Sequence, residues 1–329
     1  MADYEVSKLM WIGVVVALAA SVFTIALPNI KSLAGSTLDN VHQIIDGNNN
    51  NGGNTERPDE NDAKWVHKGL YATNGKWVSD ADGNVVVYAQ DQSKPITYNP
   101  TGISFNNEDG SPVAEQWKFV NLSFADKVVV EKLATSDINI ASMAFSFAYQ
   151  GQDLETITGL ENWDVSNATQ LNQTFANFPK LKALDLSSWN VSNVRTFNGT
   201  FMNTTALNSL NLKNWDFKAM SDSSTGDMGM MFSGSGLTSL DLTSAKNIKP
   251  RQLAGTFGNM TNLTTLKLQN WDLSNWTDMT DMFNGDTKLA TLDLTGFTPG
   301  AYDENRSPSA ANGLSSELSD KVLNTFFKK

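Results

Sequence analysis

The 329-residue chain has no cysteine and only two histidines, His42 and His67. Without thiols there can be neither disulfides nor thiolate metal ligands. Two isolated imidazoles do not assemble a zinc site or a histidine-based triad, and His42 reads as a solvated helix residue. Positive charge is scarce as well. With 24 Lys+Arg against 35 Asp+Glu the net charge is −11, so no basic stripe exists to neutralise phosphates, and nucleic acid is excluded as a partner. No glycine-rich loop leads into Lys-Ser/Thr, which removes phosphate-loop nucleotide chemistry. Asn-x-Ser/Thr sequons at Asn190, Asn203 and Asn262 fall where the chain must pack closely, which argues against a glycosylating secretory route and for a bacterial origin.

What the chain has in abundance is repetition. The segments Leu181–Trp189, Leu207–Trp215, Leu237–Ala245, Leu263–Trp271 and Leu289–Phe297 all read Leu-x-x-Leu-x-Leu-x-x followed by a landmark position. Trp163, Trp189 and Trp215 are 26 residues apart, as are Ala245, Trp271 and Phe297, and the longer gap between 215 and 245 holds a loop-like insertion, Asp222 to Gly226. A phenylalanine recurs at 175, 201, 232, 257 and 283. A period in the twenties with this leucine pattern predicts a leucine-rich-repeat solenoid. The leucines of each strand share one face, and no single coil can bury its apolar edge alone. Stacking would lay Leu on Leu, Trp on Trp and Phe on Phe, each buried aromatic contributing roughly 2–3 kcal/mol of transfer free energy.

The segments Ile157–Thr169 and Asp278–Gly285, with their Trp-Asp-Val-Ser-Asn and Met-x-x-Met-Phe phrases, resemble the BspA-like surface leucine-rich repeats of bacteria. Gly75–Val87 is similar to the N-terminal module of that family and Lys127–Glu131 to its first strand. The resemblance implies a bacterial surface protein that binds other molecules. The chain departs from many members in lacking an obvious cleavable signal and a cell-wall sorting motif.

Ahead of the repeats, Leu9–Leu27 is nineteen residues without a charge, enough for a transmembrane helix of about 28 Å. On it Gly13, Ala17 and Ser21 lie on one face at the spacing that lets membrane helices approach closely. Beyond Pro28 an amphipathic pattern continues to Ile45. Asp46 to Asp62 has almost no apolar residue and reads as a flexible spacer. Asn74-Gly75 and Asp82-Gly83 mark hairpins in a small β module, expected to cover the open end of the solenoid. Ser315–Phe327 carries an N-cap candidate and an apolar residue at every fourth position from Leu318, which predicts a capping helix. The expected fold is thus a β-rich leucine-rich-repeat solenoid with a small N-terminal β cap module and an N-terminal transmembrane helix. Its expected boundaries are 1–45 helix, 46–63 linker, 64–125 β cap module, 126–300 solenoid and 301–329 C-terminal cap.

Chemistry must then reside on the surface. Asp185, Asp241 and Asp293 recur at one repeat position, so they form a file instead of a converging acid–base pair; no enzyme activity and no cofactor or metal is expected. The non-leucine strand positions would form a flat polar array, and the candidate ligand-binding residues are Asp185, Ser187, Asn211, Lys213, Asp241, Thr243, Lys267, Gln269 and Asp293. The expected function is a membrane-anchored bacterial surface adhesion protein, single-pass through Leu9–Leu27 with its C-terminal part outside. Its partner would be an extracellular protein, a matrix component or a neighbouring cell surface. The alternative is a structural subunit of a surface filament, pilus or conjugation apparatus that self-associates through Gly13, Ala17 and Ser21.

Overall fold

The computed structural model describes residues 57–98, 105–111, 113, 120–130, 153–222 and 224–328. Nine strands form its N-terminal part: β1 (Trp65–Tyr71), β2 (Gly75–Asp80), β3 (Asn84–Ala89), β4 (Ile96–Tyr98), β5 (Phe105–Asn107), β6 (Asn121–Phe124), β7 (Val128–Val130), β8 (Thr156–Thr158) and β9 (Trp163–Asp164). One six-stranded sheet runs β5-β1-β2-β3-β6-β8, and a three-stranded sheet runs β4-β7-β9. The β1–β2 and β2–β3 pairs are antiparallel, whereas β3–β6 and β6–β8 are parallel, so the direction of pairing changes at β3 within one sheet. Asn74 takes the left-handed conformation its turn requires (φ 66°). Its amide donates to the carbonyls of Asp91, Lys94 and Pro95, and its Oδ1 accepts the N–H of Asp91, which ties the following loop to the hairpin. Alternate apolar residues of these strands converge in a core where Tyr71 meets Phe105 edge-on at 4.6 Å and Phe124 meets Trp163 at 5.1 Å.

The repeats follow as short strands: β10 (Ala183–Asp185), β11 (Ser209–Asn211), β12 (Ser239–Asp241), β13 (Thr265–Lys267) and β14 (Thr291–Asp293). They pair in parallel, leucine on leucine, as Leu184↔Leu210 and as Leu240↔Leu266↔Leu292. Inside, the phenylalanines form one unbroken file. Phe175, Phe201, Phe232, Phe257 and Phe283 lie 5.5–5.8 Å apart with rings within 15° of parallel. Trp163 stacks on Trp189 at 6.4 Å and Trp271 on Phe297 at 6.2 Å. The tryptophan file is interrupted where Ala245 stands in the landmark position.

The end of the chain covers the last repeat. Helix α1 (Lys218–Asp222) leads up to the inserted loop, and α2 (Ser316–Phe326) follows a short 3-10 turn, Ser307–Ala311. The Ser315 hydroxyl accepts the N–H of Leu318 as an N-cap. Leu318, Val322 and Phe326 are buried on one face, and Phe326 stacks on Phe297 at 5.0 Å. Strands β15 (Gly300–Ala301) and β16 (Phe327–Lys328) close this end as a parallel pair.

Two expectations require correction. The leucine-rich-repeat solenoid with one continuous strand face is not what forms: the β-rich chain is divided among several small sheets without solenoid closure, β10-β11 in one and β12-β13-β14 in another. The reason is visible in the spacing. Leu210 and Leu240 are 30 residues apart where Leu184 and Leu210 are 26 apart, and β11 and β12 do not pair across this longer gap. Leu210, on the open side of that break, is only partly buried, whereas Leu184, Leu240, Leu266 and Leu292 are fully buried. The transmembrane helix and the single-pass localisation also fall: among the described residues no helix is long and apolar enough to cross a membrane. Leu9–Leu27, with Gly13, Ala17 and Ser21, lies outside the described residues, as do His42 and the spacer up to residue 56.

Candidate functional site

Of the expected ligand-binding residues, Asp185, Asn211, Asp241, Lys267 and Asp293 lie on the strands, in two groups, and Ser187, Lys213, Thr243 and Gln269 lie in the turns just after them. Asp185 is in register with Asn211 across β10 and β11, and Asp241, Lys267 and Asp293 form a line across β12, β13 and β14. Beside them run Ala183 and Ser209 in the first sheet and Ser239, Thr265 and Thr291 in the second, all small side chains. Neighbouring strands at about 4.8 Å spacing make each group a regular polar lattice.

Most of the carboxylates are already engaged locally. Asp185 Oδ1 accepts the Ser187 N–H at 2.9 Å and its hydroxyl at 2.7 Å. Asn211 Oδ1 accepts the Lys213 N–H at 3.1 Å. Asp241 repeats the arrangement with Thr243 at 3.0 and 2.7 Å, and Asp293 with Thr295 at 3.0 and 2.6 Å. Each is an Asx turn that ends its strand after three residues and redirects the chain. The signal was present in the sequence as Asp-Leu-Ser/Thr, a turn-forming acid two residues before a hydroxyl.

The second carboxylate oxygens reach across to neighbouring repeats. Lys267 Nζ donates to Asp241 Oδ2 at 2.9 Å, and Gln269 Nε2 donates to Asp293 Oδ2 at 2.7 Å. Lys182 pairs with Glu155 and Lys180 with Asp153 in the same manner. Burial alone would raise the Asp241 carboxyl, but hydrogen bonds from Thr243 and Lys267 outweigh it and hold the group below the usual carboxylate range. The Thr295 hydroxyl, then Gln269, bring Asp293 down to about 2. Asp241 in turn raises Lys267, first by its hydrogen bond and then by its charge. Lys213, exposed at the edge beside the register break, forms no salt bridge among the described residues.

Sequence reasoning missed a second file on another side of the repeats. Parallel bridges join Gln170, Thr196, Asp227, Gln252 and Asp278 in an unbroken series. From there the N–H groups of Phe175, Phe201, Phe232 and Phe257 donate to Thr200, Met231, Thr256 and Met282 in the next repeat at 2.8–2.9 Å. This ladder crosses the insertion without a gap. The left-handed residues Asn177, Asn203, Gly234, Asn259 and Gly285 mark its end in each repeat. Asn203 donates to Asn177 Oδ1 at 2.9 Å, and at Gly234 an added Cβ would lie 2.8 Å from Asn203 Oδ1, so both φ and space favour glycine there. Only the recurrence of Asn or Gly two residues after each phenylalanine hinted at this ladder.

His67 lies on β1, away from the strand face, and no group of three or more His, Asp or Glu that could hold a metal ion is found among the described residues.

Against this geometry, a family model described as "Mycoplasma protein of unknown function, DUF285" matches residues 139–244 and 251–301, the stretch that contains β8 to β14. The chain is similar to that family over the repeats, and the match is to it and not to the BspA-like leucine-rich repeats expected from the sequence. No curated protein matches the chain.

Proposed function

We propose that the chain is a non-enzymatic binding protein that presents its strand face to an extended partner, a protein or a matrix polymer, including one carried on a neighbouring cell. The observation that supports this reading most directly is the line Asp241, Lys267 and Asp293 in register beside Ser239, Thr265 and Thr291. Donors and acceptors recur there at a fixed spacing, on a backbone held by stacked aromatic rings. A polymer with its own repeat can satisfy such a lattice at several successive points, so weak contacts sum. The face has no exposed aromatic anchor, which favours a polar ligand over a greasy one. The resemblance of Ile157–Thr169 to BspA-like surface repeats agrees with a recognition role.

The test is a combined Asp185→Asn, Lys213→Gln, Asp241→Asn and Lys267→Gln variant. Asparagine retains the Oδ1 acceptor that ends each strand, so the fold survives while four charges of the face are removed. Binding of the purified chain to cells and to immobilised matrix proteins and polysaccharides should fall at least tenfold with an unchanged thermal midpoint. Undiminished binding would dismiss this face as the recognition surface.

A further inference from the structure

We propose that Asp286 makes the closure of the C-terminal segment over the last repeat sensitive to pH. The residue occupies the third position after the file phenylalanine, a site filled in earlier repeats by Phe178, Thr204, Ser235 and Met260, all buried. Packing at this site does not call for an acid, since phenylalanine and methionine serve it elsewhere. Asp286 is 1% exposed, its Oδ1 accepts the N–H of Met260 at 2.8 Å, and its Oδ2 has no hydrogen-bond partner. An ionised carboxylate in that position keeps a buried, half-satisfied charge, whereas the neutral acid does not.

Asp227 shows what a satisfied version looks like. It too is pushed up by burial, but Gly229 N–H donates to its Oδ1 at 2.7 Å and Asn198 Nδ2 to its Oδ2 at 3.1 Å. Asp286 lacks the second donor. Burial moves its carboxyl up to about 7, and the Met260 N–H only partly opposes this.

The location gives the titration a mechanical consequence. Gly313, at the end of the segment that follows the repeats, lies directly on residues 283–285: a Cβ there would sit 2.7 Å from the Gly285 nitrogen and 2.8 Å from the Phe283 carbonyl oxygen. Asn312 Nδ2 donates to Asp281 Oδ1, and the Asp281 N–H donates to the Ser309 carbonyl. Three basic groups of the neighbouring elements have other engagements. Lys321 donates to the Leu292 carbonyl, Lys288 to Asn262, and Arg306 to Asp303 and the Thr277 carbonyl. Asp281 holds Asn312, and no charged group contributes to the Asp286 shift. Ionisation therefore has no local counter-charge and must be met by water, and the segment packed on residues 283–285 is the part proposed to loosen and admit it.

The full-length chain, labelled with carboxyl-¹³C aspartate, tests this by NMR titration. Asp286 should titrate between pH about 6 and 8; a midpoint below 5 would overturn the proposal. Hydrogen exchange of Ser316–Phe326, corrected for its intrinsic pH dependence, should show protection falling at least tenfold from pH 5.5 to 8.5. In Asp286→Asn, or in Asp286→Thr where the first fails to fold, that dependence should vanish. An equal pH dependence in wild type and variant would place the cause elsewhere.

Discussion

The repeats are held together on two sides, and the two sides behave differently at the insertion. On the strand side, β11 and β12 belong to separate sheets and Leu210 loses part of its cover. On the phenylalanine side, the bridge from Thr196 to Asp227, the hydrogen bond from Phe201 to Met231 and the stacking of Phe201 on Phe232 at 5.5 Å all continue. The extra residues are thus absorbed where strands are only three residues long and a lost pairing removes few hydrogen bonds. They are not absorbed where each repeat adds a ring to the stack and a rung to the ladder. The phenylalanine side carries the continuity of the molecule, and the strand side is left to present polar groups.

That contrast can be broken most severely at Phe232, which is fully buried beside the insertion. Phe232→Ala should cost about 3–5 kcal/mol in urea unfolding, by lost transfer energy and the cavity left behind. If instead the loss is under about 1 kcal/mol, the file does not carry the continuity assigned to it.

Next in size, raising the pH from about 4 to about 7 should weaken the chain through Asp286. Its folded pKa lies above the ordinary 3.8, so the stability it confers is complete below about 4 and declines until about 7. Three pKa units correspond to at most about 4 kcal/mol, and the thermal midpoints of wild type and Asp286→Asn across this range measure the share realised.

Gly234→Ala should cost about 1 kcal/mol or more, because alanine is strained at positive φ and its methyl meets Asn203 Oδ1. An additional Asn203→Gly change removes the clash and suits the left-handed φ at 203, but it leaves the strain at 234 and loses the hydrogen bond to Asn177, so it should restore only part of the loss.

The smallest effects belong to the strand face. Asp293, held down to about 2, supplies stability that is present above the ordinary 3.8 and lost as pH falls towards 2. Asp293→Asn should flatten that acid limb in a thermal denaturation series, opposite in direction to Asp286→Asn. Lys267→Gln, at an exposed pair, should leave the thermal midpoint unchanged within error.

Much of this molecule was legible in the chain, because its period is written in residues that must be buried. Leu184 and Leu266, Trp163 and Trp189, Phe175 to Phe283 recur because each needs the same neighbour above and below, and that need sets which residues meet. The hairpins at Asn74-Gly75 and Asp82-Gly83 and the cap at Ser315 were equally local, each fixed by a few consecutive residues. What the period could not decide was how far the strand pairing extends. That depends on where the additional residues are accommodated, and short-range pattern assigns the cost to neither side. Likewise, Asp185, Asp241 and Asp293 announced a polar file, but only the folded chain showed one oxygen of each committed to ending its own strand. Asp286 looked like any turn aspartate in sequence. Its position is buried in every repeat, at Phe178, Thr204, Ser235 and Met260, but that Met260 N–H reaches only one of its oxygens and that the other has no partner are facts of tertiary packing alone.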